Sequence, residues 1–193
     1  MSFLKTTRWA SRSIRLAALV LTAGACLFSM RAAEATALEY KVKAGYLFNF
    51  AKYVEWPASA FPAADSPFII AVLDGTEAGP VLEQVLGGKN VNGHPVQVKT
   101  VSAANLPKDA HILLVTRTAD KTPEEIREAL GTAPTLMVGE TDQFAERGGA
   151  IAFVRDEESV RLTLCLEHAS RNGLKISAKL SNVAKSVKAK RKK

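Results

Sequence analysis

The sequence predicts an α/β protein with a single domain, in which a mixed sheet of about six strands is flanked by helices on both faces. Short apolar runs alternate with segments of helical periodicity, which is typical of sheets covered by helices. No internal repeat and no low-complexity linker interrupts this alternation. The 193 residues, 47% hydrophobic and 23% charged, suit one folded domain and exclude collagen-like and wholly disordered proteins.

The first 37 residues have the three parts of a secretory signal peptide. Four basic residues (Lys5, Arg8, Arg12 and Arg15) precede an apolar run of 13 residues, 16–28, and two A-x-A cleavage sites end at Ala35 and Ala37. Thirteen helical residues span about 20 Å, less than the roughly 30 Å of a bilayer core. We therefore expect export with cleavage of residues 1–37, ahead of a domain at 38–187; lipid attachment through Cys26 is the alternative.

The net charge of +7 is not spread over the predicted domain. Residues 38–184 carry 15 Lys and Arg against 18 Asp and Glu, and the excess lies in the leader and at the end of the chain. Because binding to nucleic acid needs clustered cations on one face, we expect no nucleic-acid partner. The basic tail at 188–193 is predicted to be disordered, either as a solubilising end or in weak contact with anionic lipid.

The first element of the domain is a predicted helix at Glu39–Tyr53, which ends before Trp56-Pro57. One apolar stripe along it is the usual core-facing pattern: Tyr40, Ala44, Leu47, Ala51 and Val54. A second stripe is rotated away from the first: Val42, Tyr46, Phe50 and Tyr53. The helix is thus predicted to be buried on two sides, by its own domain or by a second chain, and both interpretations stay open.

Strands and helices then alternate along the chain. The continuous apolar run Phe68–Leu73 predicts a strand covered on both faces, and a helix follows at 80–86. Asn92-Gly93 predicts a tight hairpin, and His111–Val115 predicts another buried strand. Thr122 begins a capping box with proline at the first helical position, so the next helix is expected to extend through Leu130.

The last third of the domain is expected to complete the sheet. Residues 135–138 predict a fourth strand, and residues 142–146 a short helical turn. The runs at 150–154 and 160–166 are joined too closely for a crossover, so they are predicted to be antiparallel. A final helix is expected at Ser177–Val187, with a stripe formed by Ile176, Leu180, Val183 and Val187.

Sequence patterns of known catalytic sites are missing. The chain has no nucleophile elbow, phosphate-binding loop, dinucleotide fingerprint or H-E-x-x-H pattern, so we expect no enzyme, no cofactor and no metal. His94 falls in a predicted turn and is expected to be solvated, whereas His111 begins an apolar strand and is expected to be structural. A hydrolase using Glu167 and His168 is the weakest hypothesis, because it requires both side chains to face one cleft.

Cys165 is the only cysteine after the leader. In the predicted strand at 160–166 it lies opposite the apolar face formed by alternate residues. It is therefore either a buried, inert thiol or an intermolecular thiol that joins two chains.

Six further segments form a recognisable order along the chain: YLFNFAKYVEWP at 46–57, the run at 68–73, GGK with NGHPV at 87–96, HIL at 111–113, GGAIAF at 148–153 and GLKISAKL at 173–180. Together these segments resemble the YfiR-like family, over roughly residues 39–184. The resemblance implies a periplasmic repressor, working as a dimer, that binds the periplasmic sensor domain of an inner-membrane diguanylate cyclase and lowers cyclic diguanylate signalling, which governs biofilm formation. The family's namesake carries internal disulfides, which cannot form in the predicted mature chain because only Cys165 follows the leader.

Two function hypotheses follow, with different candidate residues. For a regulator acting by contact, the partner or dimer interface is expected at the aromatic residues of the first helix and its exit: Tyr46, Phe50, Tyr53 and Trp56. The alternative is a periplasmic small-molecule binding protein that feeds a sensor kinase or a transporter. Its ligand loops are expected at the carboxyl ends of strands, the usual place in open α/β sheets: Asp74, Gly75, Thr76 and Glu140.

Overall fold

The computed structural model describes residues 34–75, 77–156 and 159–186. Most of the predicted signal peptide, the basic tail at 188–193, Cys26 and Thr76 lie outside the described residues. The chain divides into two compact units, residues 1–39 and 40–193. Of the first unit only residues 34–39 are described, and they are helical; the second unit contains the α/β domain.

Six helices and ten strands make up the described residues. The helices are α1 (34–53), α2 (Ala78–Leu86), α3 (Pro123–Leu130), α4 (Phe144–Arg147), α5 (Leu166–Arg171) and α6 (Ala178–Val183), and one 3-10 turn covers Ala58–Ala60. The strands are β1 (Val54–Glu55), β2 (Phe68–Leu73), β3 (Asn90–Val91), β4 (His94–Val101), β5 (Ile112–Val115), β6 (Leu136–Gly139), β7 (Ile151–Asp156), β8 (Ser159–Leu164), β9 (Lys175–Ile176) and β10 (Lys185–Ser186).

The main sheet is mixed and has the strand order β10-β8-β7-β6-β5-β2-β4-β3. Its five central strands, β4, β2, β5, β6 and β7, are parallel, whereas β8 runs antiparallel to β7 and β3 antiparallel to β4. The predicted sheet of about six strands corresponds to the six members of four or more residues; β3 and β10 add two residues each at the edges. Outside this sheet, β1 and β9 form a separate antiparallel pair.

Helices cover both faces of the sheet, which confirms the predicted α/β architecture. Strand β2 is buried along its whole length, and its alternate side chains enter two different cores. Phe68, Ile70 and Val72 pack in the core that contains α1, α2 and α6. The intervening Ile69, Ala71 and Leu73 pack in the core that contains α3 and α4. A strand covered on both faces has no polar positions, as its sequence predicts.

Two elements set by local sequence form as predicted. The Thr122 hydroxyl accepts a hydrogen bond from the Glu125 amide, and the Glu125 carboxylate accepts one from the Thr122 amide at 2.8 Å, which completes the capping box. Asn92 and Gly93 have φ angles of 53° and 96° and join β3 to β4. Positive φ at both positions matches the right-handed twist of a two-residue hairpin.

The end of the domain differs from the prediction of one helix at Ser177–Val187. Helix α6 ends at Val183, Ala184 is extended with a ψ of 144°, and β10 pairs with β8 in parallel. The side chain of Val183 is 68% exposed, so the predicted apolar stripe has no core to cover at this position. The chain instead satisfies its backbone hydrogen bonds at the edge of the sheet. Val187 lies outside the described residues.

Helix α5 replaces the end of the strand expected at 160–166. The pairing of β8 with β7 ends at Leu164, opposite Ile151, so the following residues have no strand partner there. The chain turns at Cys165 and forms the helix Leu166–Arg171. Leu166 is consequently 44% exposed, although the alternating pattern places it on the buried face.

Candidate functional site

Helix α1 is covered completely along one stripe and only partly along the other. The predicted core stripe is buried as expected: Tyr40, Ala44, Leu47, Ala51 and Val54. In the second stripe, Val42 is 46% exposed and Tyr53 is 37% exposed, while Phe50 is fully buried. The second side of the helix is therefore closed in its middle by the protein's own core and open elsewhere.

Three of the four aromatic residues predicted as an interface pack in or against the core: Phe50 inside it, and Tyr46 and Trp56 partly buried against it. Phe50 has no exposed surface, and its ring stacks on that of Phe153 with centroids 6.0 Å apart. The indole of Trp56 donates a hydrogen bond to the backbone oxygen of His111 and lies edge-on to Phe68 at 5.0 Å. For Phe50 the structure favours the first of the two open interpretations, burial by its own domain, because the antiparallel β7-β8 pair covers this part of α1. Tyr46 and Tyr53 remain as residues that can contact another molecule.

A cleft of about 760 Å³ opens beside these two tyrosines. Its lining comes from α1, from β7 and β8, and from α6 and β10: Tyr46, Asn49, Phe50, Tyr53, Val154, Arg161, Leu162, Thr163, Lys179, Leu180, Val183 and Lys185. The floor is apolar because Phe50, Leu162 and Leu180 are all buried. The cleft therefore combines an apolar floor with a solvent-exposed rim.

The rim of the cleft is cationic. Arg161, Lys179 and Lys185 line it, and no Asp or Glu is among its described lining residues. The ammonium group of Lys179 lies 5.8 Å from the ring centroid of Tyr53, at the outer limit of a cation–π contact. The exposed lysines at this concave surface create a positive potential there.

A second polar arrangement joins α1 to the carboxyl end of β6, and it is closed. The ammonium group of Lys43 lies 2.8 Å from Glu140 Oε1, and both side chains are buried. Glu140 Oε2 accepts a hydrogen bond from the backbone amide of Arg117 at 3.1 Å and one from the hydroxyl of Tyr40 at 3.4 Å. Both carboxylate oxygens are thus engaged within the protein.

The loops predicted to bind a ligand do not form an open site around Glu140. Its carboxylate neutralises Lys43, as described above, and is buried. Asp74 has a φ of 50°, and its backbone amide donates to the Val101 oxygen at 3.0 Å. Gly75 is buried against Val72 so closely that a Cβ atom would clash with the valine side chain. Thr76 lies outside the described residues. None of the described loop residues lines the cleft beside α1.

The histidines lie in three separate environments. His94 is half-buried, not solvated as predicted: its Nδ1 lies 2.7 Å from the backbone oxygen of Ser66, and its ring stacks on Phe61 at 4.1 Å. The Nδ1 atom of His111 accepts a hydrogen bond from the Ile69 amide at 3.1 Å. Burial lowers the pKa of His111 to about 4, although the nearby Ala60 carbonyl partly opposes the shift. His111 is therefore neutral at pH 7 and structural.

Glu167 and His168 do not face a common cleft. His168 is buried, with Nδ1 at 2.9 Å from the Gly149 oxygen, whereas Glu167 is exposed and pairs with Arg171 four residues later. The arrangement required for a hydrolase is therefore missing from this pair. In the described part of the chain, no group of three or more His, Cys, Asp or Glu residues is placed to hold a metal ion.

The thiol of Cys165 is fully buried in the core that contains α3 and α4. It lies on the face of the sheet opposite Leu162 and Leu164, as the alternation of the strand predicts. A disulfide with a second chain would require this region to open first.

Of the charged residues that define the two arrangements, only Glu140 is a site residue predicted from the sequence, and its predicted role was in ligand binding; the four cations are not predicted. Lys43 stands between the apolar residues Val42 and Ala44, and its position on the buried side of α1 was the only available signal. Arg161, Lys179 and Lys185 belong to three different elements that meet only in the folded chain. No spacing in the sequence relates them.

A comparison with protein families agrees with the resemblance seen in the sequence. Among the residues that the structure describes, no helix has the length and apolar character needed to cross a bilayer. A comparison with curated proteins gives no match. A family model described as YfiR/HmsC-like matches residues 40–185, which include most of α1 and every later element up to the start of β10. The chain belongs to the YfiR/HmsC-like family.

Proposed function

We propose that the protein is a periplasmic regulator that binds the periplasmic domain of an inner-membrane diguanylate cyclase and represses it. Family membership supports regulation of cyclic diguanylate signalling. The observation that carries the binding role is the cleft beside α1, where Tyr53 and Val183 are 37% and 68% exposed at the rim of an apolar floor. Large apolar side chains grouped at an exposed concavity are typical of protein interaction sites.

Repression requires the regulator to bind one conformation of the cyclase more tightly than the other, because equal affinity shifts no equilibrium. A rigid surface serves this purpose best, since little conformational entropy is then lost on binding. Helix α1 is held by its buried stripe and by the Lys43–Glu140 ion pair. The tyrosines on its open side therefore have fixed positions before a partner arrives.

The binding role can be tested with substitutions at the exposed rim. We expect Tyr53→Glu and Val183→Asp to leave the protein folded but to weaken binding and to raise cyclic diguanylate in cells that produce the cyclase. Val42→Asp is the matched control, because Val42 is 46% exposed on the same helix but does not line the cleft. Binding unaffected by both rim substitutions would contradict this interface. Wild-type protein that binds and represses no cyclase would contradict the proposed function.

The homodimer and the export of the protein are parts of the same proposal. We expect light scattering to give twice the mass of the mature chain. N-terminal sequencing of periplasmic protein is expected to begin at Thr36 or Leu38, after one of the two A-x-A sites. The full-length chain recovered from the cytoplasm would contradict export.

A second candidate is a periplasmic small-molecule binding protein that feeds a sensor kinase or a transporter. The volume of the cleft, about 760 Å³, favours it, because ligand pockets have volumes of roughly 300–1,000 Å³. A thermal-shift screen with periplasmic metabolites distinguishes the two. A large rise in Tm with one metabolite, without binding to any cyclase, would favour the second candidate.

A further inference from the structure

We infer that the cleft beside α1 receives an acidic segment of the partner protein, with an apolar side chain of that segment seated on the cleft floor. This inference rests on the proposed function, since it specifies the chemistry of the partner at the same surface. Three properties of the cleft support it: the segregation of charge, the two layers of its lining, and the apolar area left exposed at its rim.

Charge is distributed unevenly between the cleft and the rest of the domain. Residues 38–185 carry more acidic than basic residues, 18 against 16, yet the rim of the cleft holds the exposed cations Lys179 and Lys185, and no carboxylate is among the described lining residues. Lys179 and Lys185 make no ion pair with any residue in the described ranges. Such a positive concavity on an acidic body attracts acidic groups selectively, because the remainder of the surface repels them.

The lining of the cleft is arranged in two layers. Phe50, Leu162 and Leu180 form the buried floor, and the three cations lie above it at the exposed rim. An apolar side chain that reaches the floor is removed from water, while carboxylates beside it in the same segment meet the cations. Charge pairs at the rim contribute mainly to the rate and selectivity of association, and the buried apolar contact contributes most of the affinity.

The exposed rim favours a protein segment over a small anion. Val183 and Tyr53 present apolar surface to solvent at the mouth of the cleft. A small anion on the floor would leave this surface in water, whereas a polypeptide that enters and leaves the cleft covers it. Removing this apolar surface from water favours association with the polypeptide.

The first test measures binding of the cyclase's periplasmic domain at two salt concentrations. We expect wild-type affinity to fall as salt rises, because the rim charges are exposed and screened. Lys179→Glu combined with Lys185→Glu is expected to weaken binding about tenfold at low salt and to remove the fall of affinity with rising salt, because the attraction is replaced by repulsion. Both lysines are exposed, and position 179 lies in the first turn of α6, where the helix dipole favours the negative charge that the substitution introduces.

The matched control combines Lys41→Glu with Lys108→Glu. Both lysines are exposed and lie outside the cleft, so the net charge changes equally while the cleft stays intact. We expect this control to bind within about twofold of the wild type. If the cleft variant binds the cyclase domain like the wild type, the inference is wrong and the proposed function stands.

The second test does not depend on the cyclase. An end-capped octapeptide in which Glu alternates with Phe and Trp is titrated into the protein, and the signals of the protein are followed by NMR. The comparison is the same peptide with Lys in place of every Glu. We expect the acidic peptide to shift the signals of Tyr46, Tyr53 and Lys179, and the basic peptide to leave them unchanged. Equal shifts with both peptides, or none with the acidic one, would contradict the inference. Shifts with the acidic peptide but no cyclase binding would retain the inference and reject the proposed function.

Discussion

Helix α1 lies beside two polar regions, and both contain lysine: in one region the lysine is buried in an ion pair, and in the other the lysines are exposed. At the closed region, Lys43 is buried against Glu140 and both charges are neutralised inside the domain. At the open region, Lys179 and Lys185 stand at a cleft without an acidic neighbour among its described lining residues. A buried charge without a partner would destabilise the fold, whereas an exposed one is solvated and costs little. Lysine is therefore structural in the first region and available for recognition in the second.

The largest effect is expected from breaking the closed ion pair. Glu140→Gln leaves the ammonium group of Lys43 buried without its counter-charge, so we expect the free energy of unfolding to fall by about 3–5 kcal/mol. Urea denaturation at pH 7 measures this loss. The double substitution Lys43→Met with Glu140→Met is the control, and it should recover most of the stability because no charge remains buried. A loss below about 1 kcal/mol for Glu140→Gln would mean that the pair is solvated.

The floor and the rim of the cleft should respond differently to truncation. Phe50→Ala removes a fully buried ring that contacts Phe153, and we expect a loss of stability of about 3–5 kcal/mol. Tyr53→Ala removes a ring that is 37% exposed, so its cost should be much smaller, while partner binding is reduced. Thermal or urea unfolding of both variants measures the contrast. Equal losses would show that Tyr53 is a core residue.

His111 provides a pH-dependent test of a closed environment. Its folded pKa of about 4 lies below the unfolded value of 6.5, so the unfolded state takes up a proton first as the pH falls. The contribution of His111 to stability is therefore present above pH 6.5 and is lost progressively between pH 6.5 and about 4. The maximum slope is about 1.4 kcal/mol per pH unit. We expect His111→Asn to remove this component from the pH profile; an unchanged profile would contradict it.

The smallest effect is expected from neutralising the open lysines. Lys179→Ala combined with Lys185→Ala should change the free energy of unfolding by less than about 0.5 kcal/mol, because both side chains are exposed. Urea denaturation of this double variant and of Glu140→Gln under the same conditions compares the two losses in the free energy of unfolding directly. A loss comparable to that of the buried pair would remove the distinction between the two regions.

The sequence predicted elements whose determinants lie close together in the chain. The capping box at Thr122 and the hairpin at Asn92-Gly93 each depend on two to four neighbouring residues, and both formed. The uninterrupted apolar run of β2 was sufficient to predict a strand covered on both faces. The prediction of the last helix was wrong because the stripe through Val183 and Val187 specifies periodicity but not the core it would pack against.

The candidate site was predictable only in part. The second apolar stripe of α1 correctly indicated an unusual helix, but the sequence could not show that Phe50 is covered while Tyr53 is exposed. That difference depends on where the β7-β8 pair meets α1. His94 was placed in a solvated turn because its partners, Phe61 and the Ser66 carbonyl, are remote in sequence.

The sequence by itself determined the α/β class, the buried strands, the caps and turns, and the family. The first three follow from local patterns, and the family follows from the order of characteristic segments along the chain. The tertiary structure alone decided which lysine is buried and which stays open. Lys43 and Glu140 are separated by 97 residues, and the cations of the cleft come from β8, α6 and β10. Burial and electrostatic potential depend on distances between atoms in space, and the order of residues along the chain does not specify those distances until the chain has folded.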